Sequence, residues 1–228
     1  MSRRVEIYQL QVRMREVHPR IWRRLLVRGD STLADLHFIL QIALGWTDTH
    51  LHCFHLRGQD YGLPHSGGIS FSTEAHRVRL GDFQFHPNER FRYEYDFGAG
   101  WELELRIERT LPIAAQKTYP VCIGGRRAAP PEECGGPDAY RTLIDHHRWN
   151  PPFEDLAYLG DAVSRMLAAP EDESVRAPVG DLADLREALD RVATYTDFQP
   201  DQFDRRSVNR RLQQYVTGAD PDRESRIR

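Results

Sequence analysis

Between Phe91 and Ile107 the chain alternates apolar and polar residues on both sides of a single break, a pattern that reads as a hairpin. Phe91, Tyr93 and Tyr95 share one face of an extended chain, and Arg92, Glu94 and Asp96 share the other. After Gly98-Ala99-Gly100, the residues Trp101, Leu103, Leu105 and Ile107 form an apolar face opposite Glu102, Glu104, Arg106 and Glu108. Successive side chains of a strand point to opposite sides, so a period of two buries one face and wets the other. The two glycines permit a tight reversal, and the outer faces set Arg92 and Arg106 among acidic neighbours.

The same alternation opens the chain. Tyr8, Leu10, Val12 and Met14 alternate with Gln9, Gln11, Arg13 and Arg15, which predicts a half-buried strand. His18-Pro19 turns the chain, because a residue before proline avoids helical geometry. Ile21 to Val27 then reads as a second strand paired with the first. From here the period changes. Ser31 or Thr32 can cap a helix, with Asp35 three residues after Thr32 in capping-box fashion, and Leu33, Leu36, His37, Leu40 and Leu44 follow at helical spacing until Gly45. His50 to Arg57 reads as a short strand, followed by a loop at 58–70.

Residues 111–137 are dense in proline and glycine and read as a long irregular crossing. Beyond them helices are expected at 138–147, 153–167, 181–195 and 206–215, with Leu182, Leu185, Leu189 and Val192 as the buried stripe of the third. Residues 168–180 read as a loop and 217–228 as a disordered polar tail. The expected fold is therefore α+β: a curved, largely antiparallel sheet with one packed helix over 5–110, and a helical part over 138–215. At 228 residues both parts are expected to form one domain, 5–215.

No apolar run is long enough to span a membrane, and Met1 to Arg4 lack a signal core, so a cytoplasmic location is expected. Cys53, Cys122 and Cys134 are too few for a disulfide scaffold and read as free thiols. A net charge of −3 does not favour nucleic acid, although the charge is uneven: residues 1–30 are rich in arginine, and 150–202 are acidic. Attraction between the two halves is the favoured reading of that asymmetry.

Four constellations could carry chemistry. His50 and His52, two apart on a strand, could join Asp96 or Glu102 in a site of two histidines and a carboxylate beside Trp101. The alternative is polar strand residues near an aromatic cleft. Cys122 and Cys134 with His146-His147 could bind zinc, but zinc motifs hold ligands in close pairs and these cysteines stand far apart. His37 lies on the apolar stripe of its helix and reads as a satisfied core histidine. Arg23-Arg24 and Arg126-Arg127 could bind phosphate, or could instead pair with the acidic half. There is no P-loop, nucleophile elbow, catalytic triad signature or dinucleotide fingerprint, so no cofactor is assigned.

Six phrases in order carry a family resemblance: "HPRIWRRLLV" at 18–27, "TLADLHFILQIALGW" at 32–46, "HLHCF" at 50–54, "YEYDFGAGWELEL" at 93–105, "YPVCIGGRRAAPPEECGG" at 119–136 and "FDRRSVNRRL" at 203–212. Together they resemble the plasmid pRiA4b ORF-3-like family, whose members are also labelled insertion-element passenger proteins of a resolvase-like type. The resemblance implies the α+β fold above and no particular activity. The resolvase label finds no support in the residues, because the N-terminal arginines have only Ser2 and Ser31 nearby and no helix-turn-helix is readable. Ala99 and Leu103 replace an acidic residue and a histidine of the family pattern, and Cys53 replaces an acidic or polar residue. The resulting expectation is a non-catalytic, mobile-element-associated accessory protein that binds nucleic acid or another protein. A metal-dependent hydrolase or small-ligand sensor using the His50, His52, Asp96 and Trp101 cleft is the alternative.

Overall fold

The computed structural model describes residues 5–62, 73–168 and 181–219. Its contacts divide into two compact units, Met1–Arg141 with Asp201–Arg228, and Thr142–Pro200. The first unit holds one open eight-stranded sheet: β1 (Glu6–Met14), β2 (Trp22–Arg28), β3 (His52–Leu56), β4 (Gln59–Gly62), β5 (Thr73–Glu74), β6 (Arg90–Tyr95), β7 (Trp101–Pro112) and β8 (Val121–Arg126). The spatial order is β5-β4-β3-β6-β7-β1-β2-β8. Every pairing is antiparallel except the short parallel contact of β4 with β5.

The period-two pattern decides which side is core. Tyr8, Leu10, Val12 and Met14 of β1, Phe91, Tyr93 and Tyr95 of β6, and Trp101, Leu103, Leu105 and Ile107 of β7 are all buried. Helix α1 (Leu33–Leu44) packs on this face. It starts with the Thr32–Asp35 capping box and ends at Gly45 in the left-handed conformation. Both ends thus satisfy backbone groups that the helix itself leaves over. The opposite face of the sheet carries a lattice of ion pairs, Arg13–Glu104, Arg15–Glu102, Arg24–Glu108 and Arg92–Glu102 among them. The basic N-terminal strands therefore find their partners in the glutamates of β7, which the register places beside them.

Three strands escaped the sequence reading: β4, the two-residue β5, and β8. β4 lies at the start of the stretch expected to be a loop, and Arg57-Gly58, both at positive φ, make the two-residue turn that joins it to β3. Residues 63–70 of that stretch lie outside the described residues. β8 lies inside the supposed irregular crossing and pairs with β2 across a bulge. Its Val121 and Ile123 pack with Leu111 on a small second core of Ile7, Leu26 and Tyr119. Glycines at 124 and 125 had disguised it, because glycine weakens a strand signal. Here Phe203 lies so close that a Cβ at Gly125 would come within 2.3 Å of its ring.

Helices α2 (Pro137–Trp149), α3 (Phe153–Ala168), α4 (Leu182–Asp197) and α5 (Arg205–Thr217) match the four expected segments within a few residues. The last returns to the sheet unit. Asn209 accepts from the Cys122 N–H and donates to the Cys122 carbonyl, occupying the free edge of β8. The expected stripe of α4 is corrected by one step of the helix: Ala188 is buried, and Leu185 and Val192 half-buried, while Leu182 and Leu189 face solvent. The expected loop at 168–180 and tail at 217–228 fall largely on residues outside those described. No described helix is long and apolar enough to cross a membrane.

Candidate functional site

The residues singled out in the sequence do not converge on one cleft. His50 precedes β3 and is part-exposed, with Nε2 2.9 Å from Glu133 Oε1 and 3.7 Å from Asp96 Oδ2. Asp96, at positive φ, also accepts from the backbone N–H groups of Gly98 and Ala99, so it shapes the β6–β7 turn. His50 and Asp96 thus lie side by side, with Glu133 nearer to His50 than Asp96 is. Trp101 is fully buried, 5.9 Å from Trp46 between ring centroids. Glu102 lies on the outer face of the sheet, paired with Arg15 and Arg92. His52 is the first residue of β3 and points under α1, away from the His50 rim.

His52 instead joins a polar network within the core, built from α1, β6 and the loop after α1. Its ring stacks on that of His37 at 3.6 Å and 10°. His37 Nδ1 is 2.8 Å from Tyr93 Oη and Nε2 is 2.7 Å from Asp48 Oδ1. Gln41 Nε2 donates to the same hydroxyl, and Gln41 Oε1 accepts from the Asp48 N–H. An ionised Asp48 only accepts, so His37 Nε2 donates to it; a Tyr93 hydroxyl that accepts from Gln41 and donates to His37 Nδ1 completes the set. The loop Gln41–Tyr93–His37–Asp48–Gln41 is closed. Burial pushes the Tyr93 hydroxyl well above its ordinary value, so it stays a proton donor. His37 is accordingly a satisfied core histidine. The donor atoms of His37, Asp48 and His52 lie within 4.8 Å of one another. A metal ion, however, must lie near the plane of each imidazole it binds, and two parallel rings 3.6 Å apart offer no such common point.

A second network fixes the loop that carries His50. Glu132 Oε2 accepts from the Thr47 N–H at 2.7 Å and from its hydroxyl at 2.5 Å, and Oε1 accepts from Thr49 and from the Tyr95 hydroxyl. Trp46 Nε1 donates to the Pro130 carbonyl and stacks on Tyr95. Burial alone would raise the Glu132 carboxyl, but these donors outweigh it and hold the group below the usual range. The 127–136 segment is therefore a clamp on residues 46–50. Sequence reasoning missed it because Glu132 is 37 residues from Tyr95 and more than eighty from Thr47 and Thr49.

Arg23, Arg24 and Arg127 are committed to the fold. Arg23 points to the core side and is buried, donating to the carbonyls of Ala43, Trp22 and Arg126 beneath the ring of Phe203. Burial pushes its pKa down to about 10. Arg24 points outward and grips Glu108 with two hydrogen bonds at 2.6 and 2.8 Å. Arg127 pairs with Asp201. Cys122 is buried under α5, and among the described residues neither it nor Cys134 falls in a metal-ligating cluster.

The sequence profile of the plasmid pRiA4b ORF-3-like protein family matches residues 6–160. The uncharacterized protein y4hQ of Sinorhizobium fredii is 37% identical over 140 residues, covering 61% of this chain and 72% of that one. Among solved structures, the protein of unknown function MM3350 from Methanosarcina mazei Go1 is similar with a TM-score of 0.64 and 27% identity, covering 90% of this chain and 97% of that one. The profile spans the sheet, the Glu132 clamp and the core histidine network, and on that match this chain belongs to the plasmid pRiA4b ORF-3-like family.

Proposed function

We propose that this chain is a non-catalytic accessory protein of mobile-element association that acts in the cytoplasm by binding another protein. The observation that carries this reading is the solvent-facing side of α3. Phe153, Leu156, Val163 and Leu167 are all exposed, and with Gly160 they fall at alternating steps of three and four along one side of the helix. The opposite side, Asp155, Tyr158, Leu159 and Ala162, is buried or half-buried. A helix apolar on two sides is suited to packing against two neighbours. Leu182 and Leu189 of α4 and Trp149 of α2 are exposed as well. Large exposed apolar patches mark interaction surfaces more often than they occur by chance.

Nucleic-acid binding has less to support it, because Arg23 and Arg24 are held by carbonyls and Glu108. An enzyme or sensor at His50, His52, Asp96 and Trp101 has less still, because the four do not face a common space. The test places a photocrosslinking amino acid at Val163 or Leu167 in the full chain within its own cells, with Arg13 on the outer sheet face as control. A discrete polypeptide adduct from the α3 positions, absent from the control and from a Phe153→Ser/Leu156→Ser variant, is expected. A monomeric protein without adducts that binds duplex DNA with steep salt dependence would replace this reading.

A further inference from the structure

The β3–β4 hairpin gathers another set of ligand-type side chains on the outer face of the sheet. Cys53 and His55 stand two apart on β3 and share that face. The register sets Asp60 of β4 across from His55, and Glu94 of β6 across from Cys53. One donor atom each of Cys53, His55 and Asp60 lies within 4.8 Å of the others. We infer that Cys53 Sγ, His55 Nδ1 and Asp60 Oδ1 form a three-ligand site for a divalent transition metal of the zinc type, with Glu94 as the residue that positions His55.

The distances are close to what coordination needs. His55 Nδ1 lies 3.9 Å from Cys53 Sγ and 2.7 Å from Asp60 Oδ1. Tetrahedral zinc with bonds of about 2.0–2.3 Å holds such neighbouring ligands about 3.3–3.6 Å apart, so the two His55 distances need shifts of about half an ångström, and the Cys53–Asp60 pair, within 4.8 Å, closes by up to about 1.3 Å. Small side-chain rotations supply them, and Asp60, with 63% of its side chain exposed, is free to move.

The hydrogen bonds point the same way. His55 Nε2 is 3.0 Å from Glu94 Oε2 while Nδ1 faces Asp60. A cation at Nδ1 turns Asp60 from a hydrogen-bond partner of the ring into a ligand of the ion. Nε2–H then donates to Glu94, the carboxylate–histidine–metal arrangement by which outer groups fix a ligand's tautomer. The thiol gives up its proton to solvent on binding, so a divalent ion with thiolate, neutral imidazole and carboxylate makes an uncharged set. Thiolate with imidazole selects zinc or cobalt over magnesium or calcium. The exposed side of the trio leaves a fourth position for water. Unlike His37 and His52, this site asks for one imidazole only, so no stacked pair obstructs it.

The test is a titration of the full reduced chain with Co²⁺, followed by competition with Zn²⁺. One equivalent is expected to bind with a thiolate-to-cobalt charge-transfer band in the near ultraviolet, and Zn²⁺ is expected to displace it. Cys53→Ser should abolish the band, and Cys134→Ser should leave it unchanged. Asp60→Asn and Glu94→Gln should each weaken binding about 10- to 100-fold. Should Cys53→Ser misfold, Asp60→Asn still decides, since that side chain is largely exposed. Absence of the band in the wild type, its survival in Cys53→Ser, or unchanged affinity in Asp60→Asn overturns the assignment.

Discussion

Replacing Arg23 with alanine separates a structural arginine from a phosphate ligand. The side chain is 2% exposed, and it donates to three carbonyls at 2.9, 2.9 and 3.1 Å. Those carbonyls belong to the end of α1, to β2 itself and to β8, so one guanidinium ties three elements together. Its guanidinium carbon also lies 4.0 Å from the centre of the Phe203 ring. Burying the charge lowers the guanidinium pKa from its ordinary value to about 10. At about 1.4 kcal/mol per unit, that is a cost of roughly 3 kcal/mol. Against it stand three hydrogen bonds from a charged donor, each contributing about 1.5–3 kcal/mol, and a desolvated cation–ring contact of up to about 2 kcal/mol. The net loss on truncation is therefore roughly 2–8 kcal/mol, which brackets the roughly 3–5 kcal/mol found when one partner of a buried charged set is removed. Urea unfolding at neutral pH measures it as a lowered midpoint with an unchanged slope. Arg24→Ala, which removes a part-exposed ion pair, should cost only about 1 kcal/mol. Neither change should alter duplex DNA binding once the folded fraction is accounted for. An Arg23→Ala protein of wild-type stability that bound DNA more weakly, with a salt slope reduced by about one, would refute this account.

Acid stability follows from Asp30, Glu108 and Glu132. Arg28 holds Asp30 below its ordinary value; burial pushes Glu108 and Glu132 up, but their hydrogen-bond donors prevail and hold both below it. A carboxyl depressed in the folded state stabilises above its unfolded value of about 4 and loses that contribution as pH falls through the folded value. Urea midpoints measured from neutral pH downward should therefore drop below about pH 4, and Glu132→Gln should flatten that drop; parallel curves would count against the clamp. Gly136→Ala tests the approach of the clamp to the β6–β7 turn. Gly136 has φ +95, and a Cβ there would sit 2.4 Å from the Ala99 carbonyl oxygen. Backbone strain and overlap together should cost at least about 2 kcal/mol, read as a fall in Tm, whereas Gly58→Ala, strained but unobstructed, should cost less.

The sequence by itself determined the parts whose signal is local. Alternation at Tyr8–Met14 and across the Phe91–Ile107 hairpin fixed which side chains enter the core, because a strand has only two faces. Thr32, Asp35 and Gly45 set both ends of α1 through backbone groups within a few residues. The ordered phrases also disclosed the family. Tertiary structure decided everything that depends on residues far apart in the chain. Arg23 and Arg24 were read together as one candidate phosphate site; β2 sends them to opposite faces, and α1, β8 and Phe203 bury the inward one. His50 and His52 were read as one strand face; β3 begins at His52, so the first stays at the rim and the second stacks on His37. The α4 stripe shifted from Leu182 and Leu189 to Ala188 because the identity of the packing partner, not hydrophobicity alone, decides which side of a helix is covered. Asp60 was hidden in a supposed loop, and its place beside His55 and Cys53 exists only through the register of β3 with β4. Pairing register is settled by the sheet as a whole, and the chemistry of this chain's surface is settled with it.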